Sequence, residues 1–297
     1  MVRYAKGHGT GNDFVLLPDP QNQLDLDAVL VRALCDRRTG LGADGVLRIA
    51  GLADGPAEGP APARPRWFMD YRNADGSVAE MCGNGIRVVA RYLFDHQLAT
   101  GPEVAIATRA GTRRVRLEAD GLLTVDMGPA TIGRASWAVI DGVKKGGLAV
   151  NVGNPHLACL VDRPVADFDL RAAPEVDTAV FPAGVNVELI RVTGHREAEM
   201  RVHERGSGES HSCGTGAVAA AVAAAVAGGE WPDDAASQPA RETGHPAEPA
   251  PWVVRVPGGT LTVIPDATAS LLTGPAVIVA EGQISNGWLA GARQARA

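Results

Sequence analysis

Residues 73–87 read NADGSVAEMCGNGIR, and residues 203–217 read HERGSGESHSCGTGA. Each stretch has a polar turn, then a cysteine (Cys82 or Cys213), then glycines one and three positions later at the start of a predicted helix. A cysteine at a helix start faces the positive end of the helix dipole and N–H groups without a partner inside the helix. Both factors favour the thiolate and lower the thiol pKa from its reference value of ~8.5. The same N–H groups can hold a carboxylate.

These two stretches belong to a weak internal repeat. CGNG at 82–85 is followed by CGTG at 213–216, and NDFV at 12–15 is followed by NPHL at 154–157, each after nearly half the chain. Coincidence in a chain with 36 glycines is the alternative. Because both echoes recur in the same order at similar intervals, we expect two similar halves that each present one cysteine.

Short strands dominate the rest of the pattern. Alternation and short β-branched runs predict strands at 113–119, 122–128, 147–152, 157–161, 185–192, 199–204, 252–256, 260–264 and 275–280. Apolar residues at helical spacing predict helices at 27–38, 85–97 and 214–227. Many short strands with a few helices predict an α+β fold.

The domain boundaries follow from the repeat. We expect a first half at 1–130 that supplies Cys82, and a second half at 131–273 that supplies Cys213. The last strand and the C-terminus, 274–297, should return to the first half. Two proline-rich stretches, at 51–66 and 230–251, predict solvated surface loops, because they cannot form ladders or helices.

Composition excludes several classes of protein. A chain of 297 residues with 45% hydrophobic residues is near the size at which one core splits into two. A net charge of −6 and only 4% aromatic residues argue against nucleic-acid binding. The longest apolar run, 217–227, is too short to span a membrane, and the N-terminus MVRYAKGHG lacks the apolar segment of a secretory signal. We therefore expect a cytoplasmic protein without a membrane segment.

The cysteine count is also informative. The four cysteines form no CxxC pair and no zinc-finger spacing, which predicts no metal site. Disulfides are improbable in a chain of this length without a signal. We expect Cys35 and Cys159 to be small buried residues, and Cys82 and Cys213 to be reactive.

Two facing thiols suggest one type of chemistry. If both helix starts hold one carboxylate, the α-carbon of that ligand lies between two sulfur atoms. One thiolate can then remove the α-proton while the opposite thiol protonates the other face, which inverts the stereocentre without a cofactor. Coupled titration of neighbouring thiols supplies the opposite protonation states, and preorganised N–H donors stabilise the developing negative charge.

Over nearly the whole chain, the sequence resembles the diaminopimelate epimerase family. Beside the two cysteine stretches, the motifs that carry the resemblance are KGHGTGNDFVLLPD at 6–19, GLGADGVL at 40–47, NVGNPHLACLVD at 151–162, GVNVELI at 184–190 and GPAVIVAEG at 274–282. The resemblance implies two pseudo-symmetric α+β domains with the active site in the cleft between them. It also implies a homodimeric isomerase of lysine biosynthesis that converts LL- to meso-2,6-diaminopimelate without pyridoxal phosphate or any other cofactor.

The resemblance also implies roles for individual residues. Cys82 and Cys213 match the acid/base pair, and His156 matches a supporting histidine near the cysteines. The residues that match the substrate-binding positions are the helix starts Gly83, Asn84, Gly214 and Thr215, the amides Asn12, Asn73, Asn154 and Asn186, and the charged pair Glu204 and Arg205. These types suit a substrate with two ammonium and two carboxylate groups, because arginine grips a carboxylate bidentately and amides serve either group.

Alternatives remain at several positions. Asn73 and Asn154 also suit turns, Glu204 and Arg205 could form a solvated pair, and His156 could be structural. Gly45 departs from the family pattern, because some members carry an amide there, so any contact from that position is lost or comes from the backbone.

Two other functions compete with the first. One is another cofactor-free amino-acid racemase, such as a proline racemase-like enzyme, which turnover of proline without turnover of diaminopimelate would reveal. The other is a thiol redox or metal-binding protein that uses Cys82 and Cys213. Epimerisation that survives replacement of either cysteine by alanine would rule out the two-base mechanism.

Overall fold

A computed structural model describes residues 2–52, 65–231 and 250–294 of the chain. Most of the two predicted proline-rich loops, 53–64 and 232–249, lies outside these described residues. Contacts divide the chain into two compact units, one formed by Met1–Asp126 with Thr273–Ala297 and the other by Met127–Leu272.

The first part of the chain contains eight strands and two helices among its described residues. They are β1 (Val2–Gly9), β2 (Asn12–Asp19), α1 (Ala28–Cys35), β3 (Gly45–Gly51), β4 (Trp67–Asn73), β5 (Val78–Ala79), α2 (Gly83–Asp95), β6 (Glu103–Thr108), β7 (Gly111–Leu117) and β8 (Leu123–Gly128). Helix α1 begins after Asp27, whose carboxylate accepts the N–H of Leu30 at 2.8 Å.

The second part contains nine strands, one α-helix and one 3-10 turn among its described residues. They are β9 (Thr131–Ile140), β10 (Val143–Asn151), β11 (Pro155–Leu160), the 3-10 turn (Val165–Asp167), β12 (Glu175–Val176), β13 (Asn186–Gly194), β14 (Glu197–Glu204), β15 (Gly208–Ser210), α3 (Gly214–Ala227), β16 (Trp252–Val256) and β17 (Gly259–Ile264). The chain then forms β18 (Ser270–Gly274), β19 (Val277–Ile284) and α4 (Asn286–Gln294).

The strand pairings repeat between the two units. In the first unit, β1 and β2 are antiparallel, β2 and β3 parallel, β3 and β4 antiparallel, β4 and β6 parallel, and β6 and β7 antiparallel. In the second unit the same sequence of directions joins β10, β11, β13, β14, β16 and β17. Helix α2 follows β5, and α3 follows β15, at equivalent points of this order. The weak echoes in the sequence thus mark a repeated topology.

Each unit has its own hydrophobic core. In the first, Leu30, Val31 and Leu34 of α1 pack with Val15 and neighbouring strand residues. In the second, a buried cluster forms around Leu157, Phe168 and Leu189. Helix α3 is unusual because all twelve residues from Gly214 to Ala225 are buried and none of its side chains is larger than valine.

The predicted fold class is confirmed, since strands predominate and helices are few. Helix α3 occupies its predicted range, but α2 begins at Gly83, before the predicted start at residue 85, because Cys82 caps the helix. Several strands were not predicted, among them β2, whose sequence NDFVLLPD is almost continuously buried. A strand that is buried on both faces lacks the two-residue alternation on which the prediction relied.

Candidate active site

Cys82 is the N-cap of α2. Its backbone is extended, and its Sγ accepts the N–H of Gly85 at 3.3 Å. The thiol also lies 3.9 Å from the side-chain oxygen of Asn12, at the start of β2. The two glycines on either side of Asn84 let the helix begin directly at the sulfur, as the sequence predicted.

Cys213 caps α3 in the same way. Its Sγ accepts the N–H of Gly216 at 3.4 Å and lies 3.4 Å from the hydroxyl of Thr215. Helix starts leave their first N–H groups without intrahelical partners, and Gly214 and Thr215 supply two of them. Both predicted helix-start cysteines are therefore present.

The electrostatic expectation for Cys213 was wrong. A helix start should lower the pKa of this thiol, but burial and the nearby carboxyls of Glu204 and Glu188 raise it well above its usual range. Cys213 is only 7% exposed, so loss of solvation of the thiolate outweighs the helix dipole. Cys213 is therefore a thiol at neutral pH.

A network of hydrogen bonds among two asparagines, an aspartate and an arginine lies at the start of α2. Asn12 donates to the Asp44 carboxylate at 2.8 Å and accepts from the Asn84 amide at 3.3 Å. The guanidinium of Arg87 donates to the Asn84 side-chain oxygen at 3.0 Å and to the Gly83 carbonyl at 3.1 Å. These bonds hold two predicted binding residues, Asn12 and Asn84, beside Cys82.

Arg87 itself is fully buried, and no carboxylate pairs with it among the described residues. Burial lowers the pKa of Arg87 to about 10, and the Cys82 thiol acts in the opposite direction. The guanidinium consequently keeps its charge at neutral pH and interacts with the sulfur of Cys82.

A histidine and two glutamates lie near the start of α3. His156 Nδ1 is 2.6 Å from Glu188 Oε1, and His156 Nε2 is 2.9 Å from Asn154 Oδ1. Glu204 accepts hydrogen bonds from the Ser210 hydroxyl and from the Cys213 thiol. Burial raises the pKa of the Glu204 carboxyl, and its hydrogen bond with Ser210 partly opposes that shift.

The remaining predicted residues have mainly local contacts. Asn186 Oδ1 accepts the backbone N–H of Arg205 at 2.9 Å, and the exposed Arg205 guanidinium donates to Ala183 at 3.3 Å. Asn73 donates to the Ser77 hydroxyl at 3.0 Å within a turn. The turn interpretation of Asn73 therefore has direct support, and Asn186 links the start of β13 to Arg205.

Sequence reasoning missed three polar residues near the two cysteines, namely Asp44, Arg87 and Glu188. Their signal is a charged residue inside an apolar pattern, as in the helix segment GIRVVA and the strand NVELI. The structure explains why position 45 is glycine, because a Cβ there would lie 2.6 Å from the Arg72 carbonyl oxygen. No side chain can occupy position 45 without displacing backbone.

Cys35 and Cys159 are buried, as predicted. Burial raises the pKa of each thiol to about 12, so both remain protonated at neutral pH. Within 2–52, 65–231 and 250–294, no group of three or more His, Cys, Asp or Glu side chains is placed to hold a metal ion. Among the helices of those same ranges, none has the length and hydrophobicity needed to cross a membrane.

Solved structures share the fold at low sequence identity. A probable proline racemase from Agrobacterium radiobacter K84 superposes with a TM-score of 0.65 and 16% identity, over 96% of this chain and 93% of that one. A hydroxyproline epimerase from Agrobacterium vitis gives a TM-score of 0.66 and 13% identity, over 96% and 92%. At these identities the similarity establishes the fold alone.

Sequence relatives are much closer. The diaminopimelate epimerase of Thermobifida fusca (strain YX) is 54% identical over 288 residues, which cover 95% of this chain and 98% of that protein. The diaminopimelate epimerase of Streptomyces coelicolor is 47% identical, over 98% of each chain. The diaminopimelate epimerase family model matches residues 4–133 and 148–279. With this match and these full-length relatives, the chain belongs to the diaminopimelate epimerase family.

Proposed function

We propose that the protein converts LL-2,6-diaminopimelate to meso-2,6-diaminopimelate by a two-base mechanism that uses Cys82 and Cys213. Membership in the family makes the chain an isomerase of lysine biosynthesis. The observation that carries the mechanism is the repeated helix start, in which each unit presents one cysteine as the N-cap of a helix with glycine at its first and third positions.

The two cysteines suit opposite roles. Cys213 is a thiol at neutral pH, because burial and neighbouring carboxyls raise its pKa. Cys82 interacts with the buried Arg87 cation, which favours a thiolate. In the proposed resting state Cys82 is the base and Cys213 the acid. The Cα–H bond breaks as its proton moves to Cys82, and a new Cα–H bond forms on the opposite face with the proton of Cys213.

The backbone N–H groups of Gly83, Asn84, Gly214 and Thr215 would bind the reacting carboxylate. They would stabilise the negative charge that develops on it as the α-proton leaves. In this proposal each of the two units, bounded near residues 130 and 273, supplies one cysteine and one helix start. No cofactor and no metal enter any step.

The remaining predicted residues would bind the other ammonium and carboxylate groups of the substrate. Glu204 accepts from an ammonium group, Arg205 donates to a carboxylate, and Asn12, Asn73, Asn154 and Asn186 serve either group without adding charge. We further propose a homodimer in the cytoplasm, where a reducing environment keeps Cys82 and Cys213 as free thiols.

The decisive experiment uses purified protein with reductant in deuterated water, without added metal or pyridoxal phosphate. We expect LL-diaminopimelate to give meso product with deuterium at the inverted α-carbon. A requirement for pyridoxal phosphate would refute the mechanism. Turnover of proline without turnover of diaminopimelate would favour the alternative racemase.

A further inference from the structure

Glu188 is a buried carboxyl that the proposed reaction does not use. It lies in the middle of the continuously buried run Asn186–Ile190 of β13, and its side chain has no exposed area. Burying a carboxylate costs free energy unless a partner compensates for the lost hydration. Its surroundings should therefore show what this side chain does.

The hydrogen bonds of His156 fix the number of protons on the His156–Glu188 pair. Asn154 Oδ1 can only accept, so the 2.9 Å contact requires a proton on His156 Nε2. The 2.6 Å contact between His156 Nδ1 and Glu188 Oε1 joins two atoms that would both be acceptors without a second proton. The pair consequently holds one shared proton in addition to the one on Nε2.

The carboxyl also touches the first turn of α3. A Cβ placed on Gly216 would lie 2.9 Å from Glu188 Oε1, and the N–H of Gly216 is the group that caps the Cys213 sulfur. The other oxygen, Oε2, is buried and has no hydrogen-bond partner within the described part of the chain. Glu188 thus places a carboxyl oxygen against the helix start. Burial raises the pKa of this carboxyl and the facing His156 opposes that shift, and Glu188 contributes, after burial and Glu204, to the raised pKa of Cys213.

The first unit has apolar residues at the equivalent places. There Leu47 faces Gly85, with its Cδ2 3.1 Å from the position of a Cβ on that glycine. In the first unit Phe14 pairs in parallel with Gly45, and Leu47 lies two residues beyond Gly45. In the second unit His156 pairs in parallel with Asn186, and Glu188 lies two residues beyond Asn186. The proton-sharing pair is therefore specific to the helix start that carries Cys213.

Few other charged groups face Cys213. Among the described residues, the titratable side chains that act on it or on its carboxyl neighbours are Glu188, Glu204 and His156. Other charged or imidazole side chains on strands that pack against α3 have partners elsewhere: Lys144 with Trp137, Lys145 with Phe168, Arg191 with Glu199, Arg201 with Glu209, His203 with the Leu170 carbonyl, and Arg255 with Glu197. The Cys159 thiol of β11 stays protonated, because burial raises its pKa to about 12.

We propose that Glu188 is a positioning residue that shares a proton with His156 and, through its carboxylate against the first turn of α3, keeps Cys213 as the thiol in the resting enzyme. The role assigned to Cys213 rests on the proposed function. The protonation state itself can be measured without any turnover, so the two proposals can fail independently.

The test measures the rate of Cys213 alkylation by iodoacetamide as a function of pH, resolved by peptide mass spectrometry and normalised to its high-pH plateau. In the unmodified protein we expect a midpoint above ~8.5, the ordinary value for a thiol. In Glu188→Gln, which keeps the shape and the hydrogen bond but removes the charge, we expect the midpoint to fall by about one pH unit. Glu188→Asp should stay closer to the unmodified protein.

Glu199→Gln is the matched control, because Glu199 is a carboxylate on the neighbouring strand β14 that accepts hydrogen bonds from the Val165 N–H and from Arg191. Its midpoint should not move. In parallel, the alkaline limb of kcat/KM with LL-diaminopimelate should move down in Glu188→Gln by the same amount, with little change in KM.

Two results would overturn the proposal. One is a folded Glu188→Gln protein, judged by circular dichroism, whose Cys213 midpoint equals that of the unmodified protein. The other is a midpoint at or below the ordinary thiol value in the unmodified protein, which requires no variant. If Glu188→Gln fails to fold, the Cys213 alkylation midpoints of the unmodified protein and of Glu188→Asp decide whether the proposal stands.

Discussion

The starts of α2 and α3 have nearly the same backbone and opposite electrostatic surroundings. Each is capped by a cysteine whose sulfur accepts an N–H three residues later, at 3.3 Å in α2 and 3.4 Å in α3. Five residues beyond its cysteine, α2 carries the buried Arg87, whereas α3 carries Val218. The glycine at the third helical position faces Leu47 in α2 (Gly85) and Glu188 in α3 (Gly216).

The difference shows that a helix start alone does not set the state of its capping thiol. The dipole contribution is at most a couple of kcal/mol. A buried charge within a few ångströms has an effect of similar or larger size. A repeated backbone can therefore give both helix starts the same geometry, while a few neighbouring side chains give the two thiols different electrostatic surroundings.

Replacing either capping cysteine should have the largest effect of all, on the rate of epimerisation. Because the proposed mechanism gives each thiol a separate proton-transfer role, Cys82→Ala and Cys213→Ala should each lower kcat for epimerisation by about a thousandfold or more. Cys35→Ala is the control and should keep most of the activity, since the Cys35 thiol lies in the hydrophobic core cluster of α1 and caps neither α2 nor α3. Full activity in either capping variant would rule out the two-base mechanism.

The polar pair behind α3 can be converted to the apolar pair found behind α2. Glu188→Leu alone should lower the free energy of unfolding by about 3–5 kcal/mol, because it removes the partner of buried His156. The double variant His156→Phe with Glu188→Leu reproduces the Phe14 and Leu47 arrangement and should recover most of that loss. Urea unfolding measures both values, and equal destabilisation in the two proteins would contradict a coupled pair.

Removing the cation behind α2 tests the other side of the comparison. Arg87→Met should slow alkylation of Cys82 at pH 7.5 by about tenfold, because a positive charge nearby favours the thiolate. Arg87→Lys keeps the charge and should lie between Arg87→Met and the unmodified protein. Unchanged Cys82 reactivity in a folded Arg87→Met protein would show that this charge does not act on the sulfur.

The smallest effect, on stability, is expected from replacing the glycine at the third helical position, Gly85 in α2 or Gly216 in α3. Gly216→Ala should destabilise the protein by about 1–2 kcal/mol, because the new Cβ would approach the Glu188 carboxyl oxygen, which is held by His156. In Gly85→Ala the Cβ meets a leucine methyl group at 3.1 Å, which can shift, and alanine favours the helix. We therefore expect a change below about 1 kcal/mol, and thermal unfolding of the two variants would show whether the order is reversed.

Much of this arrangement was predictable from local sequence. Glycine spacing and apolar periodicity locate both helix starts, and repeated motifs indicate two similar halves. The charges around each sulfur were not predictable, because Glu188 and Cys213 are separated in the chain and meet only through the register of β13 against α3. Likewise, Arg87 occupies an apolar stripe of α2, where local pattern cannot reveal whether a buried charge faces a sulfur atom.

Helix α3 has a further consequence for how this protein can change over time. Every side chain in Gly214–Ala227 is small, and the buried positions leave no room for a larger one. Random substitutions along α3 will therefore mostly be deleterious. Because the helix is rigid, a displacement anywhere along it would also move the Cys213 sulfur at its start. Helix α2 has partly exposed positions, including Arg91, Phe94 and Asp95, that can accept substitutions. Libraries for directed evolution should thus place their diversity on α2 and leave α3 intact.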